Sequence, residues 1–221
     1  MSKIDFRAHF FGLFIFIHTC SSVFSQVSKG FEALYEFDFF RARKCFIAAL
    51  KKDPVLSNYG LAKIHYDKLN HFHSYDSAYK RINLACNAFA ESSPKKKQEL
   101  LSDGFTEYTF THLADSIFAE AFEQARLGQQ PEALSAYISK FADSPFRPQA
   151  IILRDSAAFA IAFQQNTSSA FLAFDARYPE SHLKEKVLKK LDACLYNETL
   201  SKGTDRKSTR LNSSHLVISY A

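Results

Sequence analysis

The sequence predicts an all-α protein in which helical hairpins repeat and stack into a right-handed α-solenoid. Three observations carry this prediction. Glycine and proline number only 6 each in 221 residues, too few for the many tight turns of an all-β protein. Small and aromatic residues recur at helical spacing in the segment 30–54. The segment 121–181 contains an internal repeat with a period of 37 residues, which is typical of helical repeat proteins.

The segment 30–54 carries the clearest hairpin signature. Three small residues, one phenylalanine and one proline lie at offsets of 0, 12, 16, 19 and 24: Gly30, Ala42, Phe46, Ala49 and Pro54. This spacing resembles the tetratricopeptide repeat, whose hairpins bury their apolar faces by stacking on one another. The chain departs from that family at Ala33, where the repeat usually has a large aromatic residue. We expect helices over 27–37 and 39–52, with Pro54 starting the next helix.

A second, degenerate hairpin is predicted for the rest of the segment 26–90. The stripe of the first hairpin returns at Ala78, Ile82 and Ala85, but the preceding turn carries about four extra residues near 70–73. Ser74 and Asp76 are candidate caps of the helix that follows. Pro94 is expected at a helix start, and a long helical stretch is predicted from Lys97 to Arg126, with a bend near Gly104.

The 37-residue repeat organises the rest of the segment 91–204. Eight positions of the first unit match eight of the second, six with the same residue and two with Tyr and Phe exchanged: Ala121, Phe122, Ala125, Ala133, Ala136, Tyr137, Phe141 and Ser144 against Ala158, Phe159, Ala162, Ala170, Ala173, Phe174, Tyr178 and Ser181. Each unit reads as helix, short polar turn, helix and stop. It resembles tetratricopeptide-like repeats of proteins associated with the outer membrane. We expect a further repeat, truncated, from His182.

Residues 1–25 have the pattern of a secretory signal peptide. Lys3 and Arg7 precede an apolar run over 10–17, and small residues follow it. This run is shorter than the roughly 20 residues that span a bilayer. Cys20 raises the alternative of a lipoprotein, but the residues before it fit a lipidated cysteine poorly. The sequence therefore predicts export, to the periplasm or to the outer membrane.

The segment 205–221 resembles the translation of a short-read sequencing adapter. DRKSTRLNSSH at 205–215 and ISYA at 218–221 match two parts of that translation, separated by two residues where an index would lie. We therefore expect a disordered artefact here, with the natural protein continuing past Thr204. This segment carries a net charge of +2 and residues 1–25 carry +1, which leaves +2 of the overall +5 for the segment between them. Such a charge does not indicate nucleic-acid binding.

No catalytic or cofactor motif is present, so we expect no enzyme, no cofactor and no small-molecule substrate. The chain has no glycine-rich phosphate loop, no nucleophile elbow and no His-Glu-x-x-His sequence. His71 and His73, with Asp76 and His65, are the best metal candidates, but a solvated turn is the preferred interpretation. Three cysteines lie outside the signal segment, an odd number without the spacing of a disulfide framework: Cys45, Cys86 and Cys194.

A protein or peptide partner is the preferred hypothesis. In tetratricopeptide proteins the first helix of each hairpin lines a groove, and carrying those positions over gives six candidate binding residues: Phe31, Leu34, Tyr35, Tyr59, Lys63 and Tyr66. A clamp for a peptide carboxylate is not expected, since Val27 and Phe31 occupy the positions of its polar residues. The same aromatic residues could instead pack against neighbouring helices, because periodicity does not separate a groove from a core.

The sequence thus favours a non-enzymatic, protein-binding scaffold in the cell envelope. One alternative is an outer-membrane assembly factor, which would associate peripherally with the membrane. Another is the repeat module of a larger enzyme or sensor whose active domain follows residue 204. The Asp-Ser-Ala and Asp-Ser-Ile triplets at 76–78, 155–157 and 115–117 also resemble short O-glycosylation sites of exported Bacteroidetes proteins.

Resequencing of the gene with long reads tests the assignment of residues 205–221. We expect the open reading frame to diverge from the present sequence directly after Thr204 and to continue with natural codons. Genomic DNA that encodes DRKSTRLNSSH at this position would show that the segment belongs to the protein.

Overall fold

The chain folds into helices alone over the residues that the structure describes. A computed structural model describes the backbone of residues 24–217 and the side chains of residues 26–201. Within residues 24–217 there are ten helices and no strand: α1 (Phe24–Tyr35), α2 (Phe39–Ala49), α3 (Pro54–Tyr66), α4 (Tyr75–Glu91), α5 (Pro94–Ser102), α6 (Glu107–Leu127), α7 (Pro131–Lys140), α8 (Arg147–Gln165), α9 (Ser168–Arg177) and α10 (Lys184–Val217). The predicted all-α class is confirmed. The predicted signal peptide lies outside the described residues, except that Phe24 and Ser25 open α1.

The helices form two compact units, with the boundary between Ala121 and Phe122 inside α6. In the first unit, α1 packs on α2, α2 on α3 and α3 on α4, and α1 also contacts α3. Short connections join these helices, so neighbours in sequence are neighbours in space. In the second unit, α7 packs on α8, α8 on α9 and α9 on α10.

Phe46 of α2 is the centre of the first unit. Its side chain is fully buried, and its ring lies against two glycines, Gly30 of α1 and Gly60 of α3. A Cβ atom built on Gly30 would lie 2.7 Å from the ring, and one built on Gly60 would lie 2.3 Å from it. Both distances are far inside van der Waals contact, so the ring occupies the space that a side chain would need. The helices α1 and α3 therefore approach α2 this closely because neither has a side chain there.

Polar caps and prolines set where the helices of the first unit begin. The side chains of Asp38, Asp53, Ser74 and Ser93 each accept a hydrogen bond from the backbone N–H three residues on. Such a bond satisfies one of the amides that a helix start leaves free. Pro54 and Pro94 stand at first helical positions, as predicted. Ser74 is the predicted cap of α4, and Asp76 lies in its first turn instead.

The long helix predicted from Lys97 to Arg126 is two helices in the structure. The first, α5, ends at Ser102 and α6 begins at Glu107. Gly104 lies between them with φ of 83°, in the left-handed region that interrupts a helix. Thr106 and Thr109 then bond to each other's backbone and hydroxyl groups at the start of α6. The bond from Thr109 N to Thr106 Oγ1 caps the start of α6, so the stretch forms two separately started helices with a break at Gly104 and does not merely bend.

The helices of the second unit recur at an interval of 37 residues. Helix α9 starts and ends 37 residues after α7, and α10 starts 37 residues after α8. The connections between α7 and α8 and between α9 and α10, which we call the corners, repeat as well. Ser144 Oγ accepts a hydrogen bond from Phe146 N, and Ser181 Oγ accepts one from Leu183 N. Both serines are buried, so each corner fixes the direction in which the next helix leaves.

A buried carboxylate ties one of these corners to α8. Asp155 is 1% exposed, and its Oδ1 accepts hydrogen bonds from Nε and Nη2 of Arg154 at 2.9 and 2.7 Å. The guanidinium of Arg154 lies 4.7 Å above the ring of Tyr178, at the end of α9. His182, at the following corner, lies 3.9 Å from Oδ2 of Asp155. A buried charge without a partner is costly. The ion pair with Arg154 therefore makes the burial of the Asp155 carboxylate possible.

The last helix extends beyond the predicted end of the natural sequence. Helix α10 continues through Val217, whereas the sequence predicts disorder for 205–221. Residues 205–217 contain neither glycine nor proline, so nothing in their chemistry stops a helix that has already started. Within the part of α10 whose side chains are described, Val187, Leu191 and Cys194 join the core of the second unit.

The contact between Phe46 and Gly60 predicts the effect of adding one methyl group. Gly60→Ala should destabilise the protein by about 2 kcal/mol, because the new Cβ forces either the ring or α3 to move. Gly128→Ala is the matched control, since its Cβ would meet no atom closer than 3.6 Å, and it should change stability by less than about 0.5 kcal/mol. Urea unfolding followed by circular dichroism measures both.

A double variant separates this clash from a general effect of alanine. Phe46→Leu removes the ring and is destabilising alone. The loss of stability caused by Gly60→Ala should be smaller in the Phe46→Leu background than in the wild type. The reason is that the added Cβ and the Phe46 ring compete for the same space. Equal costs in the two backgrounds would contradict the assigned contact.

Candidate functional site

Three of the six predicted binding residues lie together inside an aromatic cluster. The ring of Phe31 in α1 packs edge-on against Phe46 at 4.9 Å and lies 6.3 Å from that of Tyr59 in α3. The Nζ atom of Lys63, one turn on, lies 5.8 Å from the centre of the Tyr59 ring. These three residues therefore lie close together on α1 and α3.

That face is covered by two aromatic side chains from further along the chain. Phe105, in the α5–α6 connection, lies 6.0 Å from Phe31 and 5.7 Å from Tyr59. Phe110 of α6 packs on Tyr59 at 5.5 Å and is itself buried. At this level of the first unit, the positions that line a groove in tetratricopeptide proteins pack against neighbouring helices.

Burial also shifts the ionisation of the two polar groups in the cluster. Loss of solvent raises the pKa of Tyr59 to about 12. The same loss of solvent lowers the pKa of Lys63, and the nearby carboxylate of Asp67 opposes that shift. In both cases the neutral form is favoured because a charged group loses hydration in the cluster.

The other three predicted residues do not join this cluster. Leu34 is half-buried in α1, and Tyr35 at the end of α1 is exposed. Tyr66 at the end of α3 is half-buried beside Tyr75, with 6.3 Å between the ring centres. Its pKa is raised, mainly by burial and then by the carboxylate of Glu120. The six residues thus do not form one continuous open groove.

An apolar groove lies instead at the turn edge of the first unit. It has a volume of about 390 Å³ and lies between the α1–α2 turn with the start of α2 and the α3–α4 loop. Phe37, Phe40 and Leu69 line it and are 66%, 68% and 81% exposed. Phe72 closes one side, with its ring 4.8 Å from that of Phe40. We call these four residues the turn groove.

The loop side of the turn groove is fixed by hydrogen bonds. Asn70 Nδ2 donates to the backbone oxygens of Ile64 and Asp67, and Asn70 Oδ1 accepts from Phe72 N at 2.7 Å. The backbone oxygen of Phe72 lies 2.7 Å from Nδ1 of His65, so that nitrogen carries the proton, because a carbonyl only accepts. Lys68 in the same loop pairs with Glu120 of α6. Leu69 and Phe72 are therefore held in place.

The other side of the turn groove depends on a strained residue. Phe37 has φ of 59°, a conformation that is rare for a bulky side chain. Its N–H bonds to Leu34 O and the N–H of Asp38 bonds to Ala33 O, which together form the Schellman motif that ends α1. Glycine usually holds this position. With phenylalanine there, the ring points outward beside Phe40.

Sequence reasoning missed the turn groove, although a signal was present. Phe37, Phe39 and Phe40 crowd a turn in which polar residues are the norm, and Phe72 lies in a polar loop. Aromatic residues in two separate turns indicate a shared apolar surface, but periodicity alone does not bring them together. The pairing of the two turns comes from the packing of α2 on α3.

The candidate metal residues do not converge in the structure. His65 is bonded to the backbone of Phe72, the ring of His73 packs on Tyr75 at 4.6 Å, and Asp76 pairs with Lys80. Among the described residues, no group of three or more histidine, cysteine, aspartate or glutamate side chains could hold a metal ion. Over the same part of the chain, none of the helices has the length and apolar character needed to cross a bilayer.

The raised pKa of Tyr59 predicts a specific loss of stability at alkaline pH. A tyrosine in an unfolded chain ionises near pH 10, so the stability tied to neutral Tyr59 is complete below about pH 10. It is lost as the pH rises through about 12, and the loss amounts to about 1 kcal/mol at pH 11. Tyr59→Phe should remove this part of the pH dependence, measured by urea unfolding between pH 8 and pH 11.

Tyr108→Phe is the control for this experiment, since Tyr108 is 72% exposed. It should leave the alkaline loss of stability as it is in the wild type. Identical pH profiles for Tyr59→Phe and Tyr108→Phe would show that Tyr59 is not buried as described.

Comparisons of the chain with protein-family models, with curated proteins and with solved structures gave no match. The resemblance to tetratricopeptide proteins therefore stays a prediction from spacing, and the candidate function rests on the geometry of this chain.

Proposed function

We propose that this chain is a non-enzymatic, protein-binding scaffold of the cell envelope, with tetratricopeptide-like hairpins stacked as a right-handed α-solenoid. The order of helix packing within each unit and the 37-residue repeat support the architecture. The signal-like residues 1–25 support the location. Repeat scaffolds of this kind present extended surfaces to protein partners.

The turn groove is the observation that carries the binding role. Exposed apolar side chains that lie next to one another on a folded surface mark interaction sites more often than single exposed ones do. Here three such side chains, together with the half-buried ring of Phe72, surround a concave space of about 390 Å³. Aromatic side chains that fill or line a pocket are the usual anchors of protein interfaces.

The strain at Phe37 strengthens the argument. A non-glycine residue in the left-handed region costs roughly 1–2 kcal/mol. Within the chain the ring gains little in return, since it is 66% exposed and meets Phe39 at 6.3 Å, edge to face. A residue that costs stability and leaves its ring in solvent fits a role in contact with a partner.

Phe37→Gly is expected to separate stability from binding. Glycine accepts the left-handed conformation without strain, so the free energy of unfolding should rise by about 0.5–1 kcal/mol. Binding through the turn groove should fall. Gln129→Gly is the matched control, because Gln129 also has a left-handed conformation, with φ of 47°, and lies in the second unit. It should stabilise to a similar degree and leave binding unchanged.

Site-specific photo-crosslinking in the native cells measures that binding. A photoreactive amino acid at Leu69 should give discrete protein adducts that are recovered with the envelope fractions and that decrease in the Phe37→Gly background. The same amino acid at Leu127, which is also exposed but lies in the second unit, should give none of them. Equal adducts at both positions, or adducts that Phe37→Gly does not reduce, would contradict the proposal.

A further inference from the structure

We infer that the turn groove and the adjoining outer stripe of α2 receive an acidic amphipathic helix of a partner protein. This inference rests on the proposed protein-binding function and specifies the chemistry of the partner. It is argued from the apolar stripe of α2, from the charges around that stripe and from the shape of the groove.

The apolar stripe consists of Phe40 and Ile47. These residues are seven positions apart in α2, so they lie on one face of the helix, and they are 68% and 43% exposed. The rise of an α-helix separates them by about 10 Å. Two anchors at that separation match two apolar side chains seven residues apart on a second helix, and helices pack on each other in this way. The turn groove lies at the Phe40 end of the stripe.

The charged side chains of α2 and of the segment directly after it are all positive. The segment 39–52 contains five cationic side chains and no acidic one: Arg41, Arg43, Lys44, Lys51 and Lys52. Two acidic residues precede it, Glu36 and Asp38, and Asp38 also lines the turn groove. Glu36 pairs with the guanidinium of Arg41 at 3.3 Å, and Asp38 accepts a hydrogen bond from the first turn of α2.

Two of these cations flank the stripe directly. Arg43 and Lys44 lie three and four residues after Phe40, on the same side of α2. The guanidinium of Arg43 lies 5.2 Å from the ring centre of Phe72, which keeps its charge at the wall of the turn groove. A partner helix with glutamate or aspartate beside its apolar anchors would place opposite charges at this rim. Complementary charges of this kind set specificity and speed association.

The shape of the site favours a helix over a lipid surface. The turn groove is concave and its loop wall is held by the hydrogen bonds of Asn70 and His65, so it suits one bulky side chain inserted from above. A flat anionic bilayer would meet the outermost rings but would leave the groove empty. The recognition mode is therefore that of an amphipathic helix in an apolar groove.

Fluorescence anisotropy with labelled helical peptides tests the inference on the full chain. Each peptide carries two leucines two turns apart, and the flanking positions are glutamate, glutamine or lysine. We expect the glutamate peptide to bind at least about ten times more tightly than the glutamine peptide at low salt, and to lose affinity as salt is added. Vesicles of neutral lipid, with and without an anionic lipid, are titrated in parallel.

Charge reversal supplies the specific control. The double variant Arg43→Glu with Lys44→Glu should reverse the preference, so that the lysine peptide binds best. The pair Lys186→Glu with Lys189→Glu makes the same change in net charge on exposed positions of α10 and should leave the preference for glutamate intact. Phe40→Ser should weaken all three peptides. Circular dichroism confirms that each variant has the wild-type helix content.

Several outcomes would overturn the inference. Equal binding of the glutamate and glutamine peptides would show that charge does not contribute to recognition. A preference for glutamate that survives Arg43→Glu with Lys44→Glu would show that these two residues do not recognise the peptide. Binding to anionic vesicles without binding to any peptide would assign the surface to a membrane. No binding at all would reject an acidic helix. Crosslinking from Leu69 does not depend on the peptides or vesicles, so it tests the protein-binding function separately.

Discussion

The first unit depends on one aromatic ring held between two glycines. Phe46 fills the space left by the missing side chains of Gly30 and Gly60, and this allows three helices to meet at one point. Because interiors are packed as closely as crystals, the position of the ring fixes the separations of α1, α2 and α3. Phe31 then packs on the same ring and links this point to the aromatic cluster around Tyr59. The turns at either end of α2 acquire their positions from this packing.

The sequence predicted the parts of this arrangement that follow a period. The spacing of Gly30, Phe46 and Pro54 identified the hairpin, and the 37-residue match identified the corners at Ser144 and Ser181. Both depend on side chains that recur at fixed intervals along helices, and such intervals can be counted. The contact of Gly60 with Phe46 was not predicted. Gly60 belongs to the degenerate hairpin, where the longer loop changes the spacing between the repeated positions.

The features that were missed depend on backbone conformation or on contacts that are distant in sequence. The left-handed φ of Gly104 and the cap that Thr106 provides for α6 divide the predicted long helix, and composition does not reveal either feature. Phe37 looks like any other aromatic residue in the sequence, and only its left-handed φ explains why its ring faces solvent. Phe31 and Tyr59 have the same spacing whether they line a groove or fill a core. Phe105 and Phe110, more than forty residues later in the sequence, decide between the two.

The second unit contains two copies of one hairpin corner, and the differences between them separate what the corner requires from what it tolerates. In the first copy the hydroxyl of Tyr137 reaches the buried serine, Ser144. In the second copy Phe174 stands at that position and has no hydroxyl, yet the backbone turn at Ser181 is the same. The hydroxyl is on Tyr178 instead, whose ring lies beneath Arg154. The serine and the two rings thus define the corner, while the hydroxyl is a variable element whose place differs between the two copies.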